Sequence, residues 1–127
     1  MKDFLAIASL GAEDFEMLLA LAAEFKVDPH REPNLLRGAI VVLYFAKPCT
    51  RTRFSFESAS RRLGGSAVAV GPDELQLSRG ETIEDTARTL GHFASAAVIR
   101  TPSDEELARF ANAANIPVVN ALTDGHH

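Results

Sequence analysis

Ala39–Phe45 (AIVVLYF) is an unbroken apolar run, and it predicts a strand buried on both faces of a parallel sheet. Shorter apolar segments at Ser66–Val70, Ala96–Ile99 and Ile116–Asn120 predict three further strands, the last of them opened by Pro117. The segments between them are longer and mixed in polarity. Thr52–Leu63, Thr82–Phe93 and Asp104–Ala114 read as helices, with Gly64-Gly65 as the stop of the first and Ser103 with Glu106 as the capping start of the last. Upstream, Phe15, Leu18, Leu19, Ala22 and Phe25 recur at helical spacing, which predicts an amphipathic helix packed on one face. Glu13, Asp14 and Glu16 near its start and Lys26 near its end suit the helix dipole. Val27–Arg37, with Pro29 and Pro33, reads as a linker, and Gly71–Gly80 as a polar loop. Strand and helix alternate. The expected fold is α/β: a parallel four-stranded sheet core with helices on both faces, in three α/β/α layers.

Composition changes this picture little. A chain of 127 residues, 46% hydrophobic and 24% charged, suits one globular domain. Its net charge of −4 argues against general nucleic-acid binding, which needs a basic surface. A single cysteine excludes an intrachain disulfide and fits a reducing compartment. The start of the chain has too short an apolar run for a secretory signal and lacks the bias of a transit peptide. No apolar run approaches the ~20 residues of a membrane span. A cytoplasmic protein, with neither membrane nor nucleic acid as partner, is the expectation.

Against that acidic background one stretch is basic. Phe45–Glu57 (FAKPCTRTRFSFE) crowds Lys47, Arg51 and Arg53 together with Thr50, Thr52 and Ser55 where the first strand hands over to a helix. Free N–H groups and the positive dipole end of a helix start favour an anion. Arginine forks and hydroxyl donors add the shape of a phosphate-like group. Ligands of open α/β sheets bind at the carboxyl ends of the strands. There the basic motif, Gln76, Arg100 and His127 can converge despite their distance in sequence. No His, Cys or Asp spacing suggests a metal, and no nucleotide-binding glycine motif is present, so no cofactor is expected. His30 and His92 have no partner in the sequence and read as structural or exposed.

Pro48–Glu57 resembles P-[ST]-x-R-T-R-x-S-F-E, the carbamoyl-phosphate signature of the aspartate/ornithine carbamoyltransferase family. The likeness continues in order through Leu63-Gly64-Gly65, Gly80-Glu81, Asp85-Thr86-Ala87, Ile99-Arg100 and Asn120-Ala121-Leu122-Thr123 to His127, over nearly the whole chain. The resemblance implies that residues 1–127 are the carbamoyl-phosphate-binding domain, and that a second, amino-acid-binding domain lies outside this chain. It implies that Cys49, Thr50, Arg51 and Thr52 hold the phosphate, and that Thr52, Arg100 and His127 lie by the carbonyl oxygen as catalytic groups. Gln76, present in relatives of the ornithine type, would serve the phosphate site of a neighbouring subunit in a trimer. With Asp85–Leu90, it favours L-ornithine as the second substrate. An aspartate carbamoyltransferase domain and a non-catalytic phosphate-binding module are the alternatives.

Three positions need separate comment. Arg53 closes the motif, and a structural pairing with Glu57 or Glu81 is expected. Cys49 stands where the family has Ser, and a thiol is larger and a weaker donor than a hydroxyl. Its main-chain N–H can still serve a phosphate, while a catalytic thiolate lacks the other groups such a mechanism needs. His126-His127 could be the remnant of a tag, but His127 falls in register with the family histidine.

Overall fold

The computed structural model describes residues 2–127, with Ser78 described by its backbone alone. The strands β1 (Ile40–Phe45), β2 (Ser66–Val70), β3 (Ala96–Arg100) and β4 (Val118–Leu122) form one parallel sheet in the order β2-β1-β3-β4. The helices are α1 (Ala12–Val27), α2 (Thr50–Arg62), α3 (Ile83–Phe93) and α4 (Asp104–Ala113).

Alternation along the central strands divides the core in two. Val42, Ala97, Ile99 and Val118 face Ala87 of α3 and Leu107, Phe110 and Ala111 of α4. Val41, Leu43, Phe45, Val98 and Ala121 face the other way, towards Phe56 of α2 and Cys49. Helices therefore cover both faces, and the three-layer expectation holds. Leu43 and Val118 are fully buried, one in each half of the core.

Several boundaries move. α2 begins at Thr50, two residues before the apolar pattern suggests, because Cys49 and not Arg51 is its N-cap residue. β4 runs two residues later than expected, since Pro117 has no N–H to give and pairing with β3 starts at Val118. The loop after β2 contains two short 3-10 turns, Pro72–Glu74 and Gln76–Arg79. β4 is not left as a bare edge either. Phe4 bridges Val119, with its N–H donating to the Val118 carbonyl and its carbonyl accepting from the Asn120 N–H, both at 2.8 Å. Lys2 Nζ, 3.1–3.4 Å from the carbonyls of Ala111, Ala114 and Ile116, caps the end of α4.

The expected packing of α1 is only partial, with Leu18 and Phe25 of the predicted stripe half-buried. No residue of this helix is buried, and Leu19 and Met17 are about half exposed at 57% and 50%. Met17, Leu21 and Ala23 interrupt the polar face, so the helix has no single apolar stripe to turn inward. Among the described residues, no helix is long and apolar enough to cross a membrane.

Candidate functional site

Three neighbouring strand ends build the site. Phe45 of β1 pairs in register with Arg100 of β3, and the Ala46 N–H donates to the Arg100 carbonyl at 2.9 Å. Arg100 pairs in turn with Leu122 of β4 across an irregularity in the ladder at Ile99–Arg100. The turns Lys47–Thr50, Arg100–Thr101 and Thr123–His127 thus share one edge of the sheet.

Cys49 and Thr50 line an open cleft of about 520 Å³, together with Lys47, Arg53 and the start of the loop after β2. Arg100 lines an adjoining hollow of about 160 Å³ with Thr101, Leu122 and Thr123. Ala46 and Lys47 border both, so the two spaces meet at the β1–α2 turn. Arg51, Thr52, Gln76 and His127 line neither space. Arg51 and Arg100 are nonetheless close enough to act on the Cys49 sulfur electrostatically. Gln76 is exposed in its 3-10 turn, in the loop whose Pro72 and Glu74 line the cleft. His127 is exposed at the end of the turn after β4.

The electrostatics of this edge are unbalanced. The first backbone bond of α2, from the Arg53 N–H to the Cys49 carbonyl at 3.0 Å, leaves the N–H groups of Thr50, Arg51 and Thr52 without intrahelical partners. The first turn carries no acidic side chain but does carry Arg51 and Arg53, which the dipole disfavours there. Arg53 reaches Glu57 at 3.4 Å, while Glu81 instead accepts the Thr86 hydroxyl. Of the two expected partners, geometry selects Glu57. Among the described residues, Lys47, Arg51 and Arg100 form no ion pair, and Arg100 Nε is buried without a hydrogen-bond partner. A buried guanidinium nitrogen left unpaired is costly unless something else supplies the acceptor. Ser55 contributes nothing here, because its hydroxyl donates to the Thr52 carbonyl at 2.8 Å.

The Thr52 hydroxyl beside the Cys49 sulfur holds that thiol below its ordinary range, with the Thr52 N–H, Arg100 and Arg51 adding to the effect and partial desolvation opposing it. The contact is not a full capping hydrogen bond, as expected of a weak sulfur acceptor. Alkylation of Cys49 by iodoacetamide should therefore rise to its plateau at lower pH than that of an ordinary thiol, and phosphate should slow it. A rate profile matching a free thiol would contradict this environment.

The turn after β4 has its own polar network. The Thr123 hydroxyl donates to Asp104, at the first position of α4, and accepts from Asn120 Nδ2 at 3.2 Å and from the His126 N–H at 3.2 Å. His126 Nδ1 lies 3.3 Å from the same carboxylate. The Thr123 hydroxyl first, and His126 and Asp124 after it, hold the Asp104 carboxyl below the usual range against partial desolvation. Stability from that depressed group is present above the ordinary carboxylate value and is lost as pH falls through the lowered one. Sequence reasoning overlooked Asp104, Asn120 and Thr123 as a unit. The signal was there in two capping-type residues, Ser103-Asp104, set against an Asn-x-x-Thr turn.

Residues 2–127 match the family model "Aspartate/ornithine carbamoyltransferase, carbamoyl-P binding domain". The chain belongs to the aspartate/ornithine carbamoyltransferase family. It is 40% identical over 126 residues to an ornithine carbamoyltransferase of Listeria monocytogenes, covering 99% of this chain and 40% of that protein. A crystal structure of the anabolic ornithine carbamoyltransferase of Campylobacter jejuni superposes with a TM-score of 0.88 at 38% identity, over 97% of this chain and 40% of the other. The catalytic subunit of aspartate transcarbamoylase from M. jannaschii gives a TM-score of 0.85 at 30% identity, over 96% of this chain and 41% of that one. The chain spans about two fifths of the length of these carbamoyltransferases. The unpaired cations and free N–H groups therefore lie in the domain that the family model names for carbamoyl phosphate.

Proposed function

We propose that this chain is the carbamoyl-phosphate-binding half of an ornithine carbamoyltransferase. The observation that carries the reading is the helix start at Thr50–Thr52, where N–H groups without intrahelical partners and an Arg51 that forms no ion pair among the described residues lie near Arg100, whose buried Nε has no partner among them either. In the reaction, the side-chain amine of L-ornithine attacks the carbonyl carbon of carbamoyl phosphate. A C–N bond forms, negative charge develops on the carbonyl oxygen, the C–O bond to phosphate breaks, and the amine gives up a proton. The products are L-citrulline and phosphate.

The N–H groups of residues 49–52, with Thr50 and Arg51, would hold the phosphate and take up its growing charge as it leaves. Thr52, Arg100 and His127 would donate to the carbonyl oxygen, and donors fixed in advance are the efficient form of that stabilisation. Ornithine would bind a second domain beyond residue 127, and Gln76 would complete the phosphate site of a neighbouring subunit in a cytoplasmic homotrimer. An interface that repeats head to tail around a three-fold axis lets one loop serve each neighbour in turn. Because an aspartate transcarbamoylase also shares this domain's fold, aspartate is the second reading for the amine.

The test has two parts. The 127-residue chain should bind carbamoyl phosphate in calorimetry yet make no citrulline, since on this reading a second domain positions the amine. The full-length protein, given carbamoyl phosphate, should form citrulline from L-ornithine and no carbamoyl-aspartate from L-aspartate. Carbamoyl-aspartate alone would replace the ornithine reading with the aspartate one. Citrulline made by the short chain would refute the two-domain division.

Cys49→Ser should leave carbamoyl phosphate affinity unchanged or improved, because the main-chain N–H is retained and the hydroxyl is the better donor. A loss of about tenfold, ~1.4 kcal/mol, would show that the thiol itself has a role.

A further inference from the structure

We infer that Asp104 is a positioning residue for His127, acting through Thr123 to hold the turn that carries the histidine; the inference rests on the role proposed above for His127. The turn is tied at both ends. The Thr123 N–H donates to the His126 carbonyl at 2.7 Å, and the His126 N–H returns to the Thr123 hydroxyl. The same hydroxyl donates to Asp104, so the fold of the turn depends on an acceptor supplied by α4. Two further bonds fasten the segment to the α4 entrance: the Asp124 N–H to the Pro102 carbonyl at 3.1 Å, and the Asp104 N–H to Asp124 Oδ1 at 3.3 Å.

Thr123 and Asn120 are each only 6% exposed, so the hub of this network is sheltered from competing water. Gly125 shows how tightly the carboxylate sits against the turn, since a Cβ there would lie 2.3 Å from Asp104 Oδ2. His126 turns its ring to Asp104, whereas His127 makes no side-chain hydrogen bond among the described residues. The network therefore occupies one of the two adjacent histidines and leaves the other for the shared edge with Arg100. β3 ends at Arg100 and α4 begins at Asp104, so the carboxylate at the first position of α4 ties the histidine turn to the segment that follows Arg100.

The test compares Asp104→Ala, His127→Ala and the double variant of this chain. Binding of carbamoyl phosphate and of inorganic phosphate is measured by calorimetry, and amide hydrogen exchange by NMR. Exchange at Thr123 and His126 should quicken at least about tenfold in Asp104→Ala as the turn opens. Affinity for carbamoyl phosphate should fall about tenfold, with inorganic phosphate changed less than about twofold, because His127 serves the carbonyl end. The double variant should bind no more weakly than His127→Ala, as coupled residues do not add. Asp104→Asn, which keeps a side-chain oxygen for Thr123, should recover most of the loss.

Unchanged exchange, additive losses, or an equal fall for both ligands would each overturn the positioning role. An unmodified chain that binds carbamoyl phosphate no better than phosphate would instead overturn the assignment of the carbonyl donors, and the inference with it. The exchange data separate the two failures, since they report on the turn without any ligand.

Discussion

Gly64→Ala should destabilise the chain by about 3 kcal/mol, the sum of a left-handed backbone penalty and a collision with main chain. Gly64 has a φ of +90°, and a Cβ there would lie 2.3 Å from the Pro33 carbonyl oxygen and 3.3 Å from Asn34 Cα. Neither neighbour is a flexible side-chain end. The position cannot easily shift, because it closes α2. The Gly64 N–H donates to the Arg61 carbonyl at 3.0 Å and the Gly65 N–H to the Ser60 carbonyl at 2.9 Å, the paired bonds of a Schellman ending. The linker is tied to the same place, with the Leu36 N–H on the Leu63 carbonyl at 2.7 Å. Gly38→Ala is the internal comparison. Its φ of +79° is also left-handed, but nothing lies within 4 Å of its Cβ position. It should cost only about 1 kcal/mol, the backbone share alone. Urea unfolding of both variants measures the difference, and equal costs would mean that the contact at Pro33 yields.

Gly64-Gly65 was legible in the sequence because a helix stop has its own local chemistry. The strands were legible for a similar reason: a parallel sheet covered on both faces demands unbroken apolar runs, and β1 is one. What lay beyond local signals was less so. The start of α2 fell two residues early because Thr50 and Arg51 give no apolar period to count from. On α1 the residues at helical spacing suggest a packed face, yet none of the helix is buried, since Met17, Leu21 and Ala23 spread its apolar surface around the helix. The start of β4 was hidden by Pro117, which is apolar and has no N–H to give, although its carbonyl accepts from the Ala97 N–H at 2.9 Å.

The site divides along the same line. Its basic motif is contiguous, so composition alone exposed it. The convergence of Lys47–Thr50 with Arg100 followed from strand order, which alternation implied but did not measure. Asp104 and Thr123 are 19 residues apart, and their bond depends on where α4 begins relative to the turn after β4. No periodicity reports that distance. The orphaned Arg100 Nε was equally invisible, because an unpaired group is recognised only when every neighbour is placed.

Arg51→Ala should lower carbamoyl phosphate affinity by roughly 10- to 150-fold, the loss of a charge-assisted fork worth roughly 1.5–3 kcal/mol. Folding should barely change. Arg51 is exposed and forms no ion pair among the described residues, and its removal relieves a cation from the positive end of α2. Unfolding free energy should therefore stay within about 0.5 kcal/mol or rise slightly. That opposition, weaker binding without weaker folding, is the mark of a residue kept for a ligand. Arg51→Lys should fall between the two, since an ammonium retains the charge and loses the planar fork. Arg61→Ala supplies the control for net charge: it removes an exposed cation from the last turn of the same helix, where it should cost stability and leave binding unaltered. Calorimetry with carbamoyl phosphate, at fixed salt, reads all three variants. Affinity unchanged in Arg51→Ala, or reduced as much in Arg61→Ala, would remove the phosphate from the start of α2 and leave its unpaired arginine without an explanation.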